Sequence, residues 1–407
     1  MDNPPILDGK RIHPNVWIMT LGSFLTDVSS EMLNNLIPLF LFNILGVKTA
    51  AIGLIDGVAE TTASLVKIYS GALSDRLGKR KFLTVFGYAI STIAKPFLYL
   101  ANSWSWVLGV RFADRFGKGI RTAPRDSLLA LSATSNQRGI AFGLHRAGDT
   151  AGAFIGIGIA TLIIWLTQST SHILTRLTFH YIILASIIPA ILAVFILIFG
   201  LREVRVENQS LIPLSLFKNW KILNRRFQIF LLIVILFTLG NSSDSFIILR
   251  GQERGLNILQ IMAMLMTFNA VYSLSSIPAG WLSDKIGRRK IIISGWGIYG
   301  LIYLGLALAR TPYLVWTLYG FYGVYYALTE GVAKALVADL VPAEQRGIAY
   351  GLFNAAIGIT ALPASLIAGI LWQGIGSWTG YGPAAPFIFG SVMALCACIL
   401  FLMTCDI

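Results

Sequence analysis

The sequence predicts an all-α integral membrane protein, with twelve transmembrane helices in two parallel six-helix bundles. Three observations predict it. The 407 residues are 56% hydrophobic and only 13% charged, about half the charge of a soluble domain. The apolar residues fall into twelve stretches, each near the roughly 20 residues a bilayer crossing needs. The motifs of the first half return in the second at a nearly constant offset.

The expected spans run in order. Span 1 covers 16–44 and contains Asp27, Glu31, Asn34 and Asn35. Span 2 (51–72) ends in a glycine-bearing basic loop. Span 3 (82–101) carries Lys95 beside the helix-breaking Pro96. Span 4 (106–131) is the most charged, span 5 (139–166) is rich in glycine, and span 6 (178–200) has no charge. A basic connection, 201–226, holds Arg202, Arg205, Lys218, Lys221, Arg225 and Arg226. Spans 7 to 12 follow at 227–249, 258–280, 290–309, 313–338, 346–373 and 384–404. Domain boundaries are expected at these points: a bundle over 1–200, a cytoplasmic linker over 201–226 and a second bundle over 227–407.

Charge placement gives the orientation. With the N-terminus inside, 18 Lys and Arg fall on the cytoplasmic side and 5 (Lys48, Arg176, Arg250, Arg254 and Arg310) on the other. Positive loops face the cytoplasm, so both termini are expected there, in a plasma membrane such as a bacterial inner membrane. The net charge of +13 is then a statement about topology and gives no reason to expect nucleic acid. The low charge content also excludes an ordinary soluble enzyme. Residues 1–15 are polar and lack the apolar core of a secretory signal. Cys396, Cys398 and Cys405 lie in the last apolar stretch, where no disulfide is expected.

The repeat is explicit. Gly71-Ala-Leu-Ser-Asp75-Arg76-Leu-Gly78-Lys-Arg80-Lys81 returns as Gly280-Trp-Leu-Ser-Asp284-Lys285-Ile-Gly287-Arg-Arg289-Lys290, 209 residues later. Gln137-Arg-Gly-Ile-Ala-Phe-Gly-Leu144 returns 208 residues later as Gln345 to Leu352. Ser29-Ser-Glu31 returns as Ser242-Ser-Asp244, an offset of 213. Parallel repeats of this kind are a transporter architecture.

The doubled loop resembles the signature of the major facilitator superfamily, G-x-L-x-D-x-x-G-x-R-x, at both of that family's positions, and the layout covers the whole chain. The resemblance implies two bundles rocking about a central cavity. Spans 1, 4, 7 and 10 would line it, spans 2, 5, 8 and 11 would form the bundle interface, and spans 3, 6, 9 and 12 would face lipid. The loop residues Gly71, Asp75, Arg76, Gly78, Arg80, Gly280, Asp284, Gly287 and Arg289 would latch the inward and outward states. Glycines permit the tight turn, and each Asp can cap a helix or accept from Arg.

An ionisable residue in the hydrocarbon costs about 2.5–3.5 kcal/mol and marks function by default. Nineteen lie inside expected spans, fifteen of them in the first half. Asp27 and Glu31 share one helix face, as do Asp56, Glu60 and Lys67. Arg111, Asp114, Arg115, Lys118, Arg121 and Arg125 form a stripe along span 4. Span 5 adds Arg146 and Asp149. The second half supplies Asp244, Glu330, Lys334 and Asp339. The expected proton and substrate cavity is Asp27, Glu31, Glu60, Arg111, Asp114, Arg115, Arg146, Asp149, Asp244 and Glu330. Asp56 is expected close to the outer surface and solvated. Glu330 and Lys334, four apart, can pair with each other. His145 is expected to pack within its bundle. Gly143, Gly152, Gly156 and Gly158 partly resemble the glycine signature of the family's drug:proton antiporters, but Ile157 stands where its proline belongs, and small-residue packing is the simpler account.

The expected function is secondary active transport of a small solute, coupled to protons through Asp27, Glu31 and Glu60, with Arg111 and Arg115 as anion or counter-charge partners. The alternatives are a transporter-like sensor without net flux and, lower in rank, a metal or metal-chelate exporter using Asp27, Glu31 and Asp244. No catalytic constellation, cofactor motif or His/Cys metal cluster is present in the sequence. The expected partners are a small-molecule substrate, protons and membrane lipid, and the expected state is a monomer.

Overall fold

The computed structural model describes residues 12–134, 138–168, 173–204, 224–342 and 346–404. Among these every regular element is helical. The order is α1 (Pro14–Asn34), α2 (Ile37–Leu39) with a π-helical turn at Phe40–Ile44, α3 (Thr49–Leu77), α4 (Arg80–Ala94) with a 3-10 extension Lys95–Leu100, and α5 (Trp104–Leu131). Next come α6 (Arg138–Gln168), α7 (Arg176–Gly200), α8 (Arg225–Gly240), α9 (Ser245–Glu253) and α10 (Ile258–Ile286). The last four are α11 (Arg288–Leu308), α12 (Pro312–Leu340), α13 (Arg346–Gln373) and α14 (Ala385–Met403).

Among the described residues, eight helical segments are long and apolar enough to cross a membrane. The other four expected spans are α1 with its extension, α3, α5 and α12, and all are helical. They carry most of the intramembrane charge, which lowers their hydropathy. One boundary moves: the seventh apolar segment runs over Arg225–Glu253. Arg250, expected in an outer loop, is therefore inside it and 0% exposed. Its Nε donates to Leu306 O (3.0 Å), its Nη2 to Ala307 O (2.9 Å) and its Nη1 to Glu253 Oε2 (2.7 Å). The guanidinium thus satisfies carbonyls at the end of α11, where the helix dipole is negative.

The chain forms two compact units. The first comprises Met1–Asn34, Leu65–Ile163 and Phe179–Pro213. Glycines set its helix spacing. A Cβ on Gly117 of α5 would lie 2.6 Å from Gly87 O of α4, so these backbones meet with no side chain between them. On α6, Gly148, Gly152 and Gly156 fall against Thr20, Phe24 and Val28 of α1. Both sets step by four, so they make one continuous stripe. Gly143 and Gly158 face open space. The glycine pattern of span 5 is therefore a packing surface that keeps Gly152 and Gly156 of the set read in sequence, adds Gly148 and leaves out Gly143 and Gly158.

Polar ties hold the ends of this unit. Glu203 accepts from Arg80 N (3.0 Å) and Lys81 N (2.9 Å), capping α4 with a carboxylate. Asn15 donates to Ser132 Oγ and Arg202 O and accepts from Arg202 N. His13 Nδ1 accepts from Asn15 N at 3.1 Å at the start of α1. Burial and the Arg202 guanidinium hold this imidazole below its usual pKa.

The second unit comprises Asn35–Ser64, Ile164–Thr178 and Leu214–Ile407. In it α12 packs against α10 and α11, and α14 against α8 and α11. The first part of α3 runs antiparallel to α13. Thr49 Oγ1 donates to Gly369 O (2.9 Å) and Thr61 Oγ1 to Gly358 O (2.6 Å), with Gly53 and Gly57 against Ser365 and Leu362 between them.

Both motif copies fold alike. Gly78 follows α3 with φ +60° and Gly287 follows α10 with φ +96°, conformations that favour glycine. Ser74 Oγ donates to Gly71 O (2.8 Å) and Ser283 Oγ to Gly280 O (2.7 Å). Arg76 is exposed. Arg80 is buried and donates from Nε to Ser127 Oγ at 2.9 Å. Arg289 Nη2 donates to the Phe401 and Leu402 carbonyls. The side chains of Asp75 and Asp284 lie outside the described residues, as does most of the basic linker. Helices α4, α7, α11 and α14 expose large apolar side chains, among them Phe86, Ile188, Leu301 and Leu395. These are spans 3, 6, 9 and 12, for which a lipid-facing position is expected.

Candidate functional site

Each unit gathers its own set of charged and polar side chains. In the first, α5 is amphipathic in charge: its stripe buries Arg111, Arg115 and Arg121, each 6% exposed. Arg111 Nη1 donates to Asn34 Oδ1 at 2.7 Å, and Asn34 Nδ2 to Glu31 Oε1 at 3.4 Å. The asparagine at the end of α1 thus links the guanidinium to the Glu31 carboxylate. Arg115 Nε lies 3.9 Å from Asp114 Oδ2. Arg121 Nη1 donates to Ser91 Oγ (2.8 Å), with its guanidinium 4.3 Å from the centre of the Tyr88 ring. Asp27 is half-buried on α1 and shares an electrostatic neighbourhood with Asp149, Glu31, Lys118 and Arg121.

His145 Nδ1 stands 3.4 Å from Asp149 Oδ2, and Arg125 donates to Asp126 Oδ1 (2.9 and 3.0 Å) and to Ser23 Oγ (3.3 Å). These are ties within the bundle, as expected of His145. Arg146 and Lys118 are exposed. The structure therefore brings together Asp27, Glu31, Arg111, Asp114, Arg115 and Asp149.

The second unit corrects one expectation. Asp56 is 6% exposed and accepts from Ser243 Oγ (2.8 Å) and Ser245 Oγ (2.5 Å), so it is not solvated at the outer surface. Glu60, one turn further, is the exposed member. A spacing of four residues on one face does not tell which carboxylate meets a neighbour. The serines that hold Asp56 flank a break. The seventh span is interrupted between Gly240 and Ser245, and Asp244 sits at the start of α9. A broken helix at membrane depth is tolerated where it lines a cavity or is buried in protein.

Asp244 accepts from Tyr322 Oη at Oδ1 (2.9 Å) and Tyr326 Oη at Oδ2 (3.4 Å). Asn241 Nδ2 donates to Tyr325 Oη at 3.3 Å. Glu330 accepts from Tyr272 Oη (2.6 Å) and lies 3.5 Å from Lys334, the pairing read from sequence. Around these carboxylates stands an aromatic wall. Phe268 packs on Tyr319 at 4.9 Å, and Tyr322 meets Tyr326 edge to face at 5.1 Å. Attention to ionisable residues alone misses this wall. Its signal is in the sequence, since Tyr319, Tyr322, Tyr325 and Tyr326 recur at helical spacing on α12.

The helical membrane fold, the doubled glycine loops and a charged interior carried on otherwise apolar helices are the features of a membrane carrier. Comparison with known proteins makes the class specific. The signature of the Major Facilitator Superfamily matches residues 19–259 and 243–406. An uncharacterised MFS-type transporter of Methanocaldococcus jannaschii is 35% identical over 97% of this chain and 95% of its own length. A D-galactonate transporter of Escherichia coli is 23% identical over 88% of this chain and 87% of its own. The crystal structure of the nucleoside transporter NupG superposes with a TM-score of 0.78 at 14% identity, covering 97% of this chain and 99% of that one. The D-xylose-proton symporter superposes with a TM-score of 0.72 at 17% identity, covering 95% and 96%. The chain belongs to the major facilitator superfamily of transporters.

Proposed function

We propose that this protein is a proton-coupled secondary transporter of a small charged solute, working by alternating access between bundles over 1–200 and 227–407. The observation that carries the reading is the chain of contacts from Arg111 through Asn34 to Glu31 on two helices of a membrane bundle. Buried charge of this kind is costly to insert and marks a functional site by default. Asp27, Glu31 and Glu60 serve as proton carriers, Arg111 and Arg115 as partners for substrate anion or carboxylate, and Asp244 with its tyrosines as the binding wall of the second unit. The likeness to a proton symporter supports the coupling. The two glycine-ended motif loops act as the latch. The termini are cytoplasmic in a plasma membrane, and the monomer is the working unit.

The test uses proteoliposomes loaded with a pH-sensitive dye and a panel of sugar acids, nucleosides and amino acids. Substrate-dependent pH change, lost in Glu31→Gln, is the expected result. Solute uptake with no pH change in the wild type would remove the coupling. Binding without flux across the panel would remove transport.

A further inference from the structure

Asp244 follows the break in the seventh span and stands at the N-cap of α9, where an aspartate ordinarily caps a helix. Its side chain makes no capping hydrogen bond. Both carboxylate oxygens accept instead from tyrosines of α12, Oδ1 from Tyr322 and Oδ2 from Tyr326. These partners are neutral hydroxyls, and among the described residues Asp244 belongs to no ion pair. Hydroxyls satisfy the lone pairs of a carboxylate but leave its charge unbalanced, which is costly away from water. Glu330, one turn beyond Tyr326, differs, since it has Lys334 at 3.5 Å.

The rings beside Asp244 make a corner. Phe268 and Tyr272 of α10 lie near parallel, 14° apart, with centroids separated by 6.2 Å. Tyr326 is set across both, at 83° and 5.5 Å from Phe268 and at 70° and 5.9 Å from Tyr272. This triangle is small enough for one ammonium to stand within the roughly 6 Å over which a ring attracts a cation, for all three rings at once. Both tyrosines of the corner donate to carboxylates, Tyr326 to Asp244 and Tyr272 to Glu330 at 2.6 Å. Such bonds polarise the phenol and make its ring face more negative. Phe268, Tyr272, Tyr326 and Asp244 are each half-buried, so the corner is reachable. Tyr326 is the central residue of α12 (Pro312–Leu340). That depth is near the bilayer midplane, where carriers with a discontinuous helix hold their substrate.

We propose that this corner binds a substituted ammonium, with Asp244 as its counter-charge and Phe268, Tyr272 and Tyr326 as its ring faces. This rests on the reading of a carrier for a small charged solute, and it names the charge: the solute bears an alkylated amine or quaternary ammonium. A carboxylate held only by hydroxyls is half of an ion pair that the cargo completes. Alkyl groups on the nitrogen suit the place, because they pack on the rings while the charge stays within reach of their faces.

Calorimetric titration of the purified full-length protein in nanodiscs tests this with two probes of one shape. Choline carries the charge, and neohexyl alcohol has carbon in place of its nitrogen. Choline is expected to bind about tenfold more tightly. Asp244→Asn is expected to abolish that preference by weakening choline alone. Phe268→Leu keeps an apolar side chain without a ring and is expected to weaken choline roughly three- to tenfold. Equal binding of the two probes, no binding of choline, or a preference that survives Asp244→Asn overturns the proposal. Should Asp244→Asn fail to fold, Phe268→Leu is compared with Phe268→Tyr, and equal choline affinity in the two overturns it. An anionic solute that drives a pH change in proteoliposomes, with choline unbound, overturns this proposal and leaves the transport reading standing. Choline bound through Asp244 with no flux of any solute supports the site and removes transport.

Discussion

Tyr322 donates its hydroxyl hydrogen to Asp244 Oδ1 at 2.9 Å from a residue that is 0% exposed. The hydroxyl is anchored because the ring is wedged between Tyr319 (5.7 Å), Tyr325 (5.2 Å) and Tyr326 (5.1 Å). A carboxylate at a helix break is thus presented by a side chain that cannot turn away.

Tyr322→Phe keeps the ring and removes that donor. An unsatisfied buried acceptor costs about 1–3 kcal/mol, so the thermal unfolding midpoint in detergent is expected to fall by several degrees. Asp244→Asn removes the charge as well and is expected to fall less, because the amide oxygen still accepts from the tyrosine. Equal midpoints for wild type and Tyr322→Phe would mean that the hydrogen bond contributes nothing to stability.

Glu203 caps α4 from the far end of the first unit. Glu203→Ala is expected to cost about 1–2 kcal/mol, the upper range of a helix cap because the acceptor is charged. Glu203→Gln retains one amide acceptor and recovers part of the loss. The order wild type, Gln, Ala in unfolding midpoint is the check.

The glycine stripe of α6 gives a paired prediction. Gly152→Val puts a branched side chain where a single Cβ already collides with Phe24 O. Loss of folded protein on size exclusion is the expected result. Gly158→Ala, six residues along the same helix, faces open space. It is expected to behave as wild type or slightly better, since alanine is the stronger helix former.

His13 carries a pH dependence. Its Nδ1 accepts the Asn15 N–H, so the cap needs a neutral imidazole. Its folded pKa lies below the ordinary value of 6.5, so the unfolded chain takes up the proton first. The contribution to stability is complete above pH 6.5 and is lost as pH falls below it. Unfolding midpoints of the wild type, measured at pH values about one unit above and one unit below the ordinary histidine value, are expected to drop on the acid side. His13→Asn is expected to drop less, because its amide accepts at either pH.

The helical framework and its repeat are legible in the sequence because hydropathy and motif offset are local or periodic signals. Partners across the bundle are not. Glu203 and Arg80 are 123 residues apart, and nothing in the spacing of either announces the cap. The burial of Asp56 and the exposure of Glu60 have the same origin: both lie on one face of α3, and the serines of the broken seventh span decide which is buried. Lys95 is visible as a misplaced charge, but its hydroxyl partners on α1, Ser29 and Ser30, are not. The Tyr322 wall is encoded by aromatic spacing, which a search for buried charge passes over.

One consequence reaches back to synthesis. Helix α5 carries seven charged residues, and as an isolated helix in lipid it faces a penalty on the order of 10–20 kcal/mol. It is not among the segments that are apolar enough to cross alone. Yet Gly87 and Gly117 bring it against α4 with almost no intervening side chain, and three residues, 101–103, separate it from the 3-10 extension of α4. Insertion of α4 and α5 together, as a hairpin, is the expected route, and α5 expressed without α4 is expected to fail to insert. The charge that serves the carrier in its finished form makes one of its helices dependent on a neighbour from birth.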